Sequence, residues 1–124
     1  MKSKIIGNIG EKIAERYLKR KGYQILEKNY SFRSSNSPSK GEIDIIAKKE
    51  NIINFIEVKT LTSDRIIRPE EKVDYLKQKK LKKTALTWLI KKKISLESPW
   101  QIDVIAINLI NNKAKVRHFK NAVF

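Results

Sequence analysis

The sequence predicts an α/β fold, a sheet flanked by helices around a single core. Two stretches, from about Ile5 to Lys21 and from Tyr75 to about Lys92, carry apolar residues at helical spacing. Short apolar runs rich in Ile and Val, bounded by Gly, Asn and Lys turns, lie between and after them and read as strands. The length of 124 residues suits one domain over 1-124, enough for a sheet and two or three helices.

In the first helical stretch Ile6, Ile9, Ile13 and Tyr17, with the neighbouring Ala14 and Leu18, form an apolar stripe that ends at Gly22 as a C-terminal cap. Glu11 lies two residues before Ile13, roughly 160–200° around the helix from it. On local grounds it is a solvated first-turn acid favoured by the helix dipole. Tyr23 to Glu27 then reads as a short strand. Ser34 to Lys40 (SSNSPSK) is small and polar with one proline, so it buries no apolar surface and reads as an exposed, mobile loop. It is either a substrate-contacting or lid loop or an ordinary connection.

Gly41 to Lys59 (GEIDIIAKKENIINFIEVK) holds two apolar runs, Ile43 to Ala47 and Ile52 to Val58, separated by Lys48-Lys49-Glu50-Asn51. That is the pattern of an antiparallel hairpin. Alternation puts Glu42, Asp44 and Ile46 on one face and Ile43, Ile45 and Ala47 on the other. In the second run Phe55, Glu57 and Lys59 share a face opposite Ile56 and Val58. Pairing the strands brings Asp44, Glu57 and Lys59 to one place. An unpaired buried carboxylate costs on the order of several kcal/mol, so acids in such strands need a reason. A functional site, an ion pair between Lys59 and an acid, and a solvated hairpin face all remain open on spacing alone.

The segment Thr60 to Asp74 lacks a clean period, contains Pro69 and reads as a loop, with Asp74 as the N-cap of the second helix. In that helix Leu76, Leu81, Ala85, Trp88 and Leu89 are expected to pack on the sheet. Lys77, Lys79, Lys80, Lys82 and Lys83 are expected on the opposite face. Five lysines within seven residues repel one another, and phosphates offset that repulsion most naturally, so the helix start is a candidate nucleic-acid contact. Trp100 to Ile107 reads as a strand, Asn111-Asn112 as a turn, and Lys113 to Phe119 as its hairpin partner. Asp103, on the face of Gln101, Ile105 and Ile107, is either a buried acid paired with a lysine or a residue bordering the site. The terminal Ala122-Val123-Phe124 is expected to dock.

Lys plus Arg total 28 against 13 acids, a net charge of +15. Such an excess favours a polyanionic partner, nucleic acid or an anionic membrane surface. Most of the cations are Lys, which suits phosphates more than guanine edges and points to sequence-independent binding. The absence of cysteine excludes disulfides, thiolate catalysis and Cys-based metal sites. No apolar run approaches the roughly 18 residues of a membrane span, and Gly and Glu interrupt the N-terminus before a secretory core forms. A soluble, cytoplasmic protein is expected, with no membrane partner. His118 is the single histidine, so a His pair is excluded and a structural or surface role is expected.

The spacing of Asp44 to Glu57-Val58-Lys59 is that of the PD-(D/E)XK nuclease core. GNIGEKIAERYLKRKGYQILEKN, GEIDIIAKK, NFIEVKT, KQKKLKKTAL, QIDVIAI and NAVF, in this order, resemble the YraN-type family of small bacterial proteins over nearly the whole chain. That family is regarded as predicted endonucleases similar to archaeal Holliday-junction resolvases. The resemblance implies a restriction-endonuclease-like fold with a mixed central sheet flanked by helices, Mg²⁺ or Mn²⁺ as cofactor, DNA as partner, and a homodimer by analogy. It makes Asp44 and Glu57 metal ligands with the Val58 carbonyl, Lys59 the catalytic lysine, and Glu11 an additional acid near the metal. Glu42 and Gln78 become supporting residues. The chain departs from the family where Leu61 follows Thr60 in place of an Arg, with Arg65 as a substitute. It departs again where Gln101-Ile102-Asp103 stands for Arg-Phe-Asp, and in a longer Ser34 to Lys40 loop.

Overall fold

A computed structural model describes residues 2–33, 40–66 and 74–122. In chain order they form α1 (Lys2–Arg20), β1 (Gln24–Phe32), β2 (Gly41–Lys49), β3 (Ile52–Leu61), α2 (Tyr75–Lys91), β4 (Trp100–Ile110) and β5 (Lys113–Phe119). The strands build one sheet in the order β1-β2-β3-β4-β5. Neighbours are antiparallel except β3 and β4, which run parallel. α2 makes the crossover that a parallel pair requires. Helix, three antiparallel strands, helix and parallel strand make a mixed α/β architecture consistent with the fold the resemblance implied.

Local chemistry accounts for the turns. Gly22 adopts φ +91° after α1. The Tyr23 N–H bonds the Leu18 carbonyl at 2.9 Å and the Gly22 N–H the Lys19 carbonyl at 3.1 Å, the paired bonds of a glycine-terminated helix. Glu50-Asn51 and Asn111-Asn112 take positive φ at both central positions, the two-residue turn whose twist matches its flanking strands. Asp74 caps α2, its carboxylate accepting the Lys77 N–H at 2.8 Å.

The sheet carries one helix on each face. On one side Ile46, Phe55, Ile102 and Val104 pack with Leu81, Ala85, Trp88 and Leu89 of α2. Phe55 is edge-on to both Trp88 and Trp100. On the other side Ile45, Ala47, Ile56, Ile105 and Ile107 pack with Ala14 and Leu18 of α1.

Four expectations are corrected. β1 runs nine residues, past Glu27 to Phe32, because its register on β2 shifts between Ile25 and Glu27 and then continues. Leu76 is 76% exposed, since five residues separate it from Leu81 and place it off the stripe of Leu81, Ala85 and Trp88. In α1 Ala14 and Leu18 are fully buried while Ile9 is exposed, so the sheet-facing stripe runs through Gly10, Ala14 and Leu18. Ile43 packs on the α2 side with Ile46, not with Ile45 and Ala47. The alternation breaks at Asp44, beyond the Ile45–Ile56 pair where the β2–β3 register ends.

The Ser34 to Ser39 part of the polar loop, the Pro69 segment and the terminal Val123 and Phe124 lie outside the described residues. Ala122 does dock, its N–H donating to the Ile102 carbonyl at 2.8 Å. Among the described residues no helix is long and apolar enough to cross a membrane.

Candidate active site

Where β2 and β3 part, a cleft of about 650 Å³ opens between the N-terminal halves of the two helices. Asp44 and Glu57 line it. Asp44 reaches across with its side chain, and Oδ2 accepts the Val58 N–H at 2.7 Å. The N–H and C=O of one strand residue face the same neighbour, so the Val58 carbonyl points to the edge that Asp44 occupies. Glu57 is 6% exposed. Its Oε2 is ion-paired with the Lys77 ammonium.

Close approach of both helices closes the cleft walls. A Cβ at Gly10 would overlap Thr60 Oγ1, so only glycine lets α1 lie this near β3. Glu11, the next residue, is thereby carried to the cleft wall. A Cβ at Gly41 would overlap Thr84 Oγ1 and bring Lys80 within 3.3 Å, which seats the start of β2 against α2.

The electrostatics follow from crowding acids out of water. Asp44 is pushed up to about 8, first by burial and then by the negative charge of Glu57. The Val58 N–H opposes that rise, and a shared hydrogen bond with Glu57 and the charge of Glu11 add to it. Glu11 is also raised, by burial and then by Glu57 and Glu42, with Lys28 acting against. Burial lowers Lys77, but its hydrogen bond to Glu57 and the charges of Glu57, Asp44 and Asp74 outweigh it and raise the ammonium above its ordinary value. Lys59 is lowered by burial and by the Lys77 charge, against the pull of Glu57 and Asp74.

The cleft thus gathers Glu11, Glu42, Asp44, Glu57 and Val58, together with Lys77 and Lys80. Lys59 does not line it, but stands two residues beyond Glu57 and within its field. Gln78, Lys79, Lys82 and Lys83 also lie off the cleft wall. Lys77 and Lys80 are not on the face opposite the apolar stripe, as expected from sequence, because Lys77 sits one turn before Leu81 and shares its side. Glu11 is not a solvated first-turn acid, since α1 starts at Lys2 and Glu11 falls in its third turn. Glu42 is an exposed rim residue paired with Lys40 at 3.3 Å.

Asp103 belongs elsewhere. It is fully buried, and its partner is a histidine, not a lysine: His118 Nε2 lies 2.8 Å from Oδ2. Gln101 Nε2 and the Asn121 N–H donate to Oδ1, and Tyr17 hydroxyl contacts His118 Nδ1 at 3.0 Å. This network ties α1 to β4 and β5, and His118 is structural.

Among the described residues no group of three or more Asp, Glu, His or Cys side chains converges as a ready-made metal cluster. The donor chemistry of Asp44, Glu57 and the Val58 carbonyl nevertheless suits a hard divalent ion. Mg²⁺ keeps several waters and is ordinarily held by one or two carboxylates plus substrate phosphate. The Lys77 ammonium on Glu57 already places positive charge beside the carboxylate pair.

The sequence matches a family described as "Uncharacterised protein family UPF0102" over residues 10–107. It is 48% identical over 119 residues to a UPF0102 protein of Thermodesulfovibrio yellowstonii, covering 96% of each chain. A UPF0102 protein of Alkaliphilus oremlandii is 43% identical over 122 residues, covering 97% of this chain and 98% of the relative. One of Caldanaerobacter subterraneus is 42% identical over 122 residues, covering 96% and 94%.

Proposed function

We propose that this chain, which belongs to the UPF0102 family, is a divalent-metal-dependent endonuclease that hydrolyses phosphodiester bonds of DNA, on branched or structured substrates. The observation that carries the reading is the half-buried Asp44 beside the buried Glu57, in a cleft that lysines also line at the point where two strands part. Asp44 satisfies the Val58 N–H, but two adjacent, partly desolvated carboxylates still repel each other and cost stability.

Asp44, Glu57 and the Val58 carbonyl would hold the ion, Mg²⁺ or Mn²⁺, with Glu11 as a further acid on the cleft wall. When bound, the ion acidifies water and offsets charge on the phosphate. Lys59, on Glu57's strand face, orients the attacking water and meets the negative charge that develops at phosphorus. Lys80, on the cleft wall, binds the flanking phosphate, and the outward Lys79, Lys82 and Lys83 extend the track along the backbone. Two copies related by a dyad suit a symmetrical four-way junction.

The test is a cleavage panel over duplex, single-stranded, flap and four-way DNA in Mg²⁺ and in Mn²⁺. Asp44→Ala, Glu57→Ala and Lys59→Ala are expected to lose cleavage while keeping DNA affinity within a few-fold. One observation favours a second reading, a nucleic-acid-binding protein without turnover: the Lys77 ammonium is ion-paired with Glu57 and offsets its charge. That reading predicts salt-dependent DNA or RNA binding indifferent to chelator and no cleavage of any substrate in the panel.

A further inference from the structure

The cleft wall contains a cation in contact with a proposed metal ligand, and its position asks what happens to it when the ion enters. Lys77 and Glu57 are unequal partners. The Glu57 side chain is 8% exposed and fixed in β3, whereas that of Lys77 is 48% exposed on a flexible four-carbon stem. The Lys77 backbone is held by its N–H bond to Asp74, and one turn later Leu81 is buried in the core. Movement of the ammonium therefore needs a change of rotamer, not a shift of α2.

The other cleft cations are placed differently. Lys40 is paired with the rim residue Glu42. Lys80 runs past Gly41, its Cγ within 3.3 Å of where a Cβ would stand. Lys77 contacts the buried Glu57 directly. An ammonium and a divalent ion on the same carboxylate repel each other strongly at contact distance in a partly desolvated site.

We infer that Lys77 is a stand-in cation: it holds Glu57 while no divalent ion is bound, and ion binding at Asp44 and Glu57 turns its ammonium outward to meet the phosphate of the substrate. The inference rests on the proposed metal-dependent reading. It makes Lys77 a positioning residue for the ion as well as a substrate contact. It gives apparent ion affinity as the intrinsic affinity reduced by the fraction of molecules in which Lys77 has let go. Binding of DNA, which draws Lys77 outward, then strengthens ion binding, and by linkage the ion strengthens DNA binding.

The experiment is calorimetric titration of Mn²⁺ into the wild-type protein, Lys77→Met and Lys77→Gln. It is paired with DNA binding in Ca²⁺ at several salt concentrations. Lys77→Gln keeps a hydrogen-bond donor for Glu57 and serves if Lys77→Met does not fold. Both variants are expected to bind Mn²⁺ about tenfold more tightly or better. Both are expected to bind DNA more weakly in Ca²⁺, with a salt slope smaller by about one. A merely structural lysine would lower both affinities on removal. Mn²⁺ binding equal to or weaker than wild type overturns the inference and leaves the metal-dependent reading standing. No Mn²⁺ binding by any of the three proteins overturns both.

Discussion

Two carboxylates side by side out of water do not both keep their charge, and Asp44 retains a proton as a result. Its folded value stands at about 8 against an ordinary 3.8. Between those values the folded protein binds more protons than the unfolded chain, so metal-free stability falls as pH rises through that window. Melting followed from about pH 5 to about pH 9 in chelator is expected to show this decline. Asp44→Asn, with no proton to lose, flattens the profile and is the more stable protein at the alkaline end. Parallel profiles for the two proteins would contradict the assignment. Asp103 makes the contrasting case, since it is fully buried and none of its three partners lines the cleft. His118→Ala is expected to cost about 1–3 kcal/mol in denaturant melts by leaving Asp103 short of a partner, with cleavage by the folded fraction unchanged.

At the scale of elements, the site is a matter of how closely the helices approach the sheet. Gly10→Ala forces α1 away from Thr60 and is expected to cost about 1–3 kcal/mol, and the double variant with Thr60→Ala should recover part of that loss. Asp74→Ala removes the α2 cap, at about 0.5–2 kcal/mol, and loosens the backbone that carries Lys77. Urea titrations of these variants check both values. The helices, the hairpin, the Asp74 cap and the juxtaposition of Asp44 with Glu57 were legible in the sequence, because spacing and turn chemistry dictate them. Gly10 in a helical run is costly unless something lies close, and Thr60 does. Size favours a stripe of α1 through Ile9, whereas the small Gly10 and Ala14 mark the contact. That shift hid Glu11, which stands three residues before Ala14 on the buried side. A charge run suggests a solvated face, and that pattern masks Lys77 among its neighbouring lysines. Its position four residues before Leu81 held the better signal.

For the whole molecule, a net charge of +15 and a cleft flanked by lysines make affinity for nucleic acid a function of salt. The observed association constant is expected to fall steeply between about 50 and 200 mM salt, on duplexes of unrelated sequence alike. Charge alone suits a binder as well as an enzyme, and turnover is what separates them. The most direct measurement is single-turnover cleavage of a labelled four-way junction in Mn²⁺, with wild type and Lys59→Ala matched for DNA binding. Metal-dependent, chelator-sensitive product from the wild type and a loss of at least about a hundredfold in Lys59→Ala is the predicted result. Intact DNA in both reactions, or equal product from both, would contradict the account.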